Sequence, residues 1–407
     1  MSLLSFNSSH SRKKGEPKAV WAVFFASTIA FMGVGLVDPI LPAISNQLVA
    51  SPSQVTLLFS SYTLVMATAM LITGVITTRL GIKRTLLLGA VIVALFSTLG
   101  GISSNIWVII GLRGGWGLGN AILVATALTA IVTLSKNEIK KSVILYETAI
   151  GLGFAMGPLL GGLLGEISWR WPFLGVGILM IVSFIFIFSS MPNLKEQTEK
   201  SVKTATSLAA PFHAMKHTSI AVIGLVAALY YYGFFTLLAY APFVTGLDAR
   251  GIGFVFLGWG ILVGITSVLM APKLQQKFGT INSMCMTLTL FAVVLLIMGI
   301  CVSIQWIVIL CIISAGAFMG NTSTLVTGAI MDASNFEKST VSSAYGFLRF
   351  IGGAIAPFIS GILAEIFTPH IPFIVGGFLV VTSVIFLLIN RHHIDHIDKP
   401  EVEYQTL

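Results

Sequence analysis

Four charged side chains stand where the sequence is otherwise apolar. Asp38 opens DPILPAI (38–44), Glu147 lies in YETAIGLGFAMGPLLGG (146–162), Arg113 heads RGGWGLGNA (113–121), and Arg349 interrupts AYGFLRFIGGAIAPF (344–358). An ionisable group inside a bilayer costs about 2.5–3.5 kcal/mol on insertion scales, so each one is a functional candidate by default. The chemistry open to such acids is proton binding and release. Burial disfavours the charged form of a carboxyl group, which can then hold a proton near neutral pH and release it when water enters. Asp38 and Glu147 are the proton-site candidates, with Arg113 placed to tune Asp38. Three of the four have a plainer reading as well: Asp38-Pro39 can cap or bend a helix, Glu147 can reach the nearby interface, and Arg349 can serve a structural ion pair or bind helix-end carbonyls.

The elements that must carry these groups follow from composition. The chain has 407 residues, 56% hydrophobic and 9% charged, with mean hydropathy +0.96. Soluble domains are about a quarter charged. The apolar stretches recur and are long enough to cross a hydrocarbon core, which takes about 20 helical residues. Twelve spans are expected, at 20–44, 55–77, 84–103, 106–134, 141–165, 171–191, 217–245, 252–272, 281–303, 306–330, 339–366 and 371–390. The fold class is therefore an all-α polytopic membrane protein. An even count puts both termini on one side. Of the 23 Lys and Arg, 19 fall in segments on that side and two, Arg170 and Arg250, on the other, with Arg113 and Arg349 inside spans. Cytoplasmic loops carry such an excess, so both termini are expected in the cytoplasm and the net charge of +8 needs no nucleic-acid partner.

The division expected is a tail over 1–19, a bundle of six spans over 20–191, a polar linker over 192–216, a second bundle over 217–390 and a tail over 391–407. The basic N-terminus followed by a long apolar run reads as a retained first span, not a cleaved signal. Cys285, Cys301 and Cys311 all lie in apolar segments and read as small hydrophobes. His392, His393 and His396 fall in a solvated tail. No metal site, enzyme nucleophile or phosphate-cradling Gly-rich loop stands out, and no cofactor is expected beyond the proton.

At about 1.5 Å per residue, Asp38 lies about 27 Å from the cytoplasmic end of its span and Arg113 about 11 Å below the opposite end of its own. They can meet if the first and fourth spans are neighbours. Glu147 is only about 9 Å up from the cytoplasmic end, and Arg349 about 15 Å, at the level of Ile150.

The halves resemble each other. GPLLGGLLGEI (157–167) aligns with APFISGILAEI (356–366), setting Pro158 over Pro357 and Glu166 over Glu365. TRLGIKR (78–84) aligns at nearly the same offset with QKFGTIN (276–282), setting Gly81 over Gly279. A duplicated six-span unit with a site between the copies is a transporter design.

On these residues the chain resembles the major facilitator superfamily, and within it the twelve-helix drug:proton antiporters of bacterial multidrug efflux. GVITTRLGIKR (74–84) resembles the superfamily's loop signature, with Gly74, Arg79, Gly81, Lys83 and Arg84 in place. RGGWGLGNA resembles the signature of the fourth helix. GLGFAMGPLLGG (151–162) resembles the exporters' antiporter motif, carried by Gly151, Gly153, Gly157, Pro158, Gly161 and Gly162. DPILPAI resembles the end of the first helix in that family. The resemblance implies the major facilitator fold: twelve transmembrane helices in two pseudo-symmetric six-helix halves that rock about a central cavity. It implies proton-driven export of amphiphilic or cationic drug-like compounds, from a bacterial cell membrane, by a monomer. A dedicated exporter of one metabolite or lipid intermediate, a proton-linked uptake symporter and a membrane sensor are the alternatives. One departure stands out: the loop signature usually carries an acid where this chain has Thr78, which puts the gating role of the loop in question. Either the loop gates, or its cations only mark topology. Tyr62, Met66, Trp116, Tyr146, Tyr231 and Phe234, with Phe154, Tyr230, Tyr240 and Trp259, are the candidates to line a substrate cavity through stacking and cation–π contact.

Overall fold

The computed structural model describes residues 16–135, 139–192, 210–334, 336 and 338–398; within its helices the side chains of 139–141, 143, 144, 147, 338 and 339 also lie outside the description. Twelve helices are long and apolar enough to cross a membrane. They are α1 (Lys18–Leu48), α2 (Pro52–Leu80), α3 (Ile82–Ile102), α4 (Ile106–Leu134), α5 (Ile139–Ile167), α6 (Arg170–Ser190), α7 (Thr218–Val244), α8 (Ala249–Phe278), α9 (Thr280–Ile300), α10 (Gln305–Asp332), α11 (Lys338–Ile366) and α12 (Ile371–Ile389). The described residues contain no strand.

Several helices start before the apolar run that announces them, because polar caps extend them. Ser51 Oγ accepts from the Gln54 amide while Gln54 Oε1 accepts from the Ser51 amide, a reciprocal pair that starts α2 before residue 55. Asp248 Oδ1 accepts from the Gly251 amide and opens α8 before residue 252 in the same way, while Asn105 Oδ1, accepting from the amides of Trp107 and Val108, caps α4 where hydropathy already starts it. Hydropathy alone is blind to these residues.

The first span is not one straight helix. It runs from Lys18 to Gly35, passes through a 3-10 turn at Asp38–Ile40 and resumes over Leu41–Leu48. Pro39 and Pro42 have no N–H to return to the carbonyls of Gly35 and Asp38, so the α-helical ladder cannot run through. α8 is interrupted too, by a π-helical stretch at Thr266–Met270 just before Pro272. There Thr266 Oγ1 donates to Leu262 O and, across to α10, to Ala317 O.

α1 and α7 are buried on most sides. α6 and α12 turn apolar side chains such as Ile178, Phe188, Phe378 and Ile389 outward. The repeat seen in the sequence is a repeat in space. Gly81 and Gly279 end α2 and α8 in one conformation, φ 79° with ψ 157° and φ 79° with ψ 168°. That left-handed φ suits glycine. The halves meet through α5 against α8 and α2 against α11, two pairings that the repeat interconverts. On the face opposite the chain ends both pairings are fastened by an acid. Glu365 Oε1 accepts from the Ser53 amide at the start of α2, 2.8 Å, and Glu166 lies 4.0 Å from Arg250 at the start of α8. Lower down, the Phe358 amide, next to Pro357 inside α11, donates to Ser60 Oγ of the other half at 3.2 Å.

The segment expected as a linker holds a short helix, Ala210–Met215, and residues 193–209 lie outside the description, as do 1–15 and 399–407 of the two tails. The described part of the C-terminal tail folds back. Asp398 accepts from the amides of Thr280 (2.6 Å) and Ile281 (3.1 Å) and so caps α9. Among the described residues no three His, Cys, Asp or Glu converge as a metal site.

Candidate functional site

The break in α1 sets Asp38 in the interior of the first half. Its side chain is fully buried, and among the described residues neither carboxylate oxygen has a hydrogen-bond partner. Arg113 of α4 is buried beside it. Its Nη1 donates to Gly33 O of α1 and its Nε to Leu58 O of α2, each at 3.4 Å, and its Nη2 has no partner. Bonds of that length are at the weak end of the range. The firmer hold is aromatic: the guanidinium stacks 4.6 Å from the centroid of Tyr62 and 4.4 Å from that of Trp116. Cation–π contact reaches about 2 kcal/mol when desolvated. Asn120, two turns along α4, donates to Ala30 O (2.8 Å) and to the Tyr62 hydroxyl. Arg113 and Asp38 thus share one buried compartment without a direct ion pair within 4.0 Å, and the arginine bridges three helices.

The antiporter-motif glycines explain why α1 and α5 come so close. Gly153, Gly157 and Gly161 recur every fourth residue on one face. A Cβ on Gly153 would lie 2.7 Å from Thr28 O, one on Gly157 2.6 Å from Met32 O, and one on Gly161 would overlap the Leu36 carbonyl. A second face of α5 meets α8. A Cβ on Gly162 would lie 2.5 Å from Ala249 O, and Gly151 faces Gly264. Small residues allow such backbone approach inside a membrane, where packing replaces the hydrophobic effect. Pro158 joins this surface to the acid. At Gly35 an added Cβ would meet the Pro158 ring at 3.2 Å and Asp38 Oδ2 at 3.6 Å, so acid and proline border one point of α1.

Tyr62, Trp116 and Met66 are fully or almost fully buried, the first two as the walls around Arg113. Tyr146, Tyr231 and Phe234 lie elsewhere, in a run of rings that crosses between the halves. Tyr146 meets Phe31 (centroids 6.2 Å), Phe31 meets Phe154 (5.8 Å), and Phe154 meets Trp259 of the second half (6.0 Å). Trp259 then stacks on Phe234 (5.8 Å, 17°), which meets Tyr231 (5.5 Å). Phe31 had no signal in the sequence, being one apolar residue among many in α1. The run ends on Arg349, whose Cζ lies 5.4 Å from the Tyr231 centroid, 5.0 Å from Tyr345 and 4.8 Å from Phe350. Glu147 lies on α5 one residue beyond Tyr146, and its side chain is outside the described residues.

The cations of the α2–α3 loop differ in setting. Lys83 Nζ donates to Phe188 O (2.9 Å) and Met191 O (2.5 Å), the last carbonyls of α6. Arg79 and Arg84 are exposed, Gly74 has open space beside it, and the Thr78 hydroxyl turns back to Val75 O of its own helix. Lys83 is thus a helix C-terminal cap within the first half. Lys83→Ala is expected to cost about 0.3–1 kcal/mol, a slightly lower melting temperature in detergent, with transport retained. A variant without transport would give Lys83 a larger role.

This arrangement of broken, glycine-lined helices around buried charges can be set beside known proteins. The family model described as Major Facilitator Superfamily matches residues 23–357 and again 224–405. Multidrug efflux protein YfmO of Bacillus subtilis (strain 168) is 48% identical over 379 residues, 93% of this chain and 94% of that protein. Quinolone resistance protein NorA of Staphylococcus aureus (strain MRSA252) is 24% identical over 92% of this chain and 97% of its own. Two solved structures share the fold. They are the human organic anion transporter MFSD10 (TETRAN), at TM-score 0.70 and 16% identity over 91% of this chain and 99% of that one, and a bacterial homologue of the human lysosomal transporter Spinster in an inward-facing, occupied conformation. The latter has TM-score 0.73 and 14% identity, over 94% of this chain and 98% of that one. The family match spans nearly all the membrane helices, including the broken α1, the bridging Arg113 and the glycine faces of α5, and the chain belongs to the Major Facilitator Superfamily.

Proposed function

We propose that this chain is a proton-coupled secondary transporter that exports amphiphilic drug-like compounds by alternating access, acting as a monomer in the cell membrane with both termini in the cytoplasm. The observation that carries the coupling is Asp38. It is a buried, unpartnered carboxylate on the break of α1, beside Pro158 of the helix that packs on both α1 and α8. A proton arriving on Asp38 removes a charge from the Arg113 compartment. Arg113, held by backbone carbonyls of α1 and α2 and by two rings, passes the change to three helices at once. The α5–α8 seam is where a shift of α1 reaches the other half. Glu147 is the second proton candidate on the ground of its place in α5. The relatives named for multidrug efflux and quinolone resistance support the export direction, and the excess of cations on the terminal side supports the orientation.

The test uses purified protein in liposomes with an imposed pH gradient. Addition of a lipophilic cation such as ethidium is expected to trigger proton flux that protein-free liposomes do not show. No flux with a panel of amphiphiles, from protein shown to be folded and inserted, would point to a dedicated cellular metabolite or lipid and overturn the broad-substrate reading.

A further inference from the structure

The two halves are not electrically alike. In the first, the buried Arg113 has the buried Asp38 for company. In the second, Arg349 has no such neighbour among the described residues. Among the described residues no carboxylate lies within 4.0 Å of its guanidinium, and its Nε is buried with no hydrogen-bond partner. The repeat places Ile150 at the corresponding position of α5, so this cation is not part of the duplicated framework. It lies about 15 Å into α11, on the face that also carries Tyr345, Gly353, Ala356 and Ser360, all buried. Arg349 itself is only partly buried. Two turns nearer the terminal face the same side of the helix emerges at Ser342, which is exposed.

A cation at this depth is costly unless something offsets it. The rings of Tyr231, Tyr345 and Phe350 offset part by cation–π contact. They leave one group on the planar edge of the guanidinium, Nε, without an acceptor among the described residues. That edge is the part of arginine that grips a carboxylate bidentately. Next to it begins the run of rings through Tyr231, Phe234, Trp259 and Phe154, which joins the halves and would part when they rock.

We infer that Arg349 is a specificity-determining residue that binds an anionic group of the substrate, a carboxylate or its equivalent, while the adjoining ring run takes the substrate's aromatic body. The inference rests on the export reading and narrows its substrate class. The favoured compounds are flat, apolar acids, in preference to the cations that the antiporter resemblance implies.

The test uses full-length protein in detergent and a matched pair of probes, 1-pyrenebutyrate and the uncharged 1-pyrenebutanol. Binding is read by tryptophan-to-pyrene energy transfer against protein-free micelles. The wild type is expected to bind the acid at least about tenfold more tightly, the scale of a charge-assisted pair. Arg349→Gln is expected to remove that preference while leaving the alcohol within about twofold and ethidium binding no weaker. A purely structural role would weaken all three together. If Arg349→Gln does not fold, Arg349→Lys carries the test. A point charge in place of the fork should lower the preference at least about threefold. Equal binding of acid and alcohol by the wild type, no binding of either, or a preference that survives Arg349→Gln overturns the inference. The same pair added to wild-type liposomes keeps the two ideas apart. Preferential binding of the acid with no proton flux for any compound upholds the Arg349 site and sinks the reading of proton-driven export of broad drug-like substrates.

Discussion

Asp38→Asn is expected to reduce proton-driven transport to the level of empty liposomes. The substitution keeps the shape of the protonated acid and removes its ability to cycle. Both oxygens of Asp38 lack partners, so an amide breaks no hydrogen bond there, and the protein should fold and insert. Coupling requires the group to carry a proton in one conformation and release it in the other, and asparagine is locked in the neutral form. Exchange of substrate at equal concentrations on both sides needs no net proton movement and is expected to persist within a few fold. Asp248→Asn is the control. That acid caps α8 through the Gly251 amide, and asparagine caps a helix as well as aspartate does. The measurement is internal pH and substrate uptake for wild type and both variants. Proton-driven transport surviving in the Asp38 variant would remove Asp38 from the mechanism and leave Glu147 as the candidate.

Gly161→Ala is the second large effect, and it falls on the fold itself. In a helix interior this exchange normally gains about 0.5–1 kcal/mol. At Gly161 the new methyl would overlap the Leu36 carbonyl, which is backbone and cannot swing aside. Overpacking typically costs about 1–3 kcal/mol and can exceed that, so the penalty outweighs the gain, and α1 must move off α5 at the turn that carries Asp38. A lower melting temperature in detergent and a large loss of transport are both expected. Gly111→Ala separates packing from propensity. It adds a methyl on α4 with no neighbour within 4 Å, and is expected to be neutral or mildly stabilising. Equal melting temperatures for Gly161→Ala and wild type would show that the α1–α5 seam is looser than this packing implies.

The resemblance to drug:proton antiporters suggested cationic cargo, whereas the surroundings of Arg349 favour an acid. The two meet in an amphiphile whose aromatic body is bound by rings and whose charge is read by one residue. A transporter built this way would discriminate by the sign of the substrate's charge more than by its outline, because stacking on Phe234 and Trp259 tolerates many flat shapes.

What could be read directly from the sequence was whatever depends on neighbours along the chain. Hydropathy over about 20 residues yields the twelve helices. The offset of Pro158 to Pro357 and Gly81 to Gly279 yields the two halves. The rarity of charge inside spans singles out Asp38, Glu147, Arg113 and Arg349. Contacts between distant segments were decided only by the tertiary structure. Lys83 reads as a loop cation that either gates or marks topology, and the fold sets it on the last carbonyls of α6, more than 100 residues away. Tyr62 and Trp116 read as candidate cavity lining, and the fold places both against Arg113. The motif glycines read as one signature of α5 and divide between contacts with α1 and with α8. Arg349 reads as a structural cation until the described residues around it are seen to offer rings and no acid. The physical reason is common to all four. A residue's type sets what it can bind, and a run of small residues can announce a close approach, while its partner is set by which of many similar apolar helices packs against it.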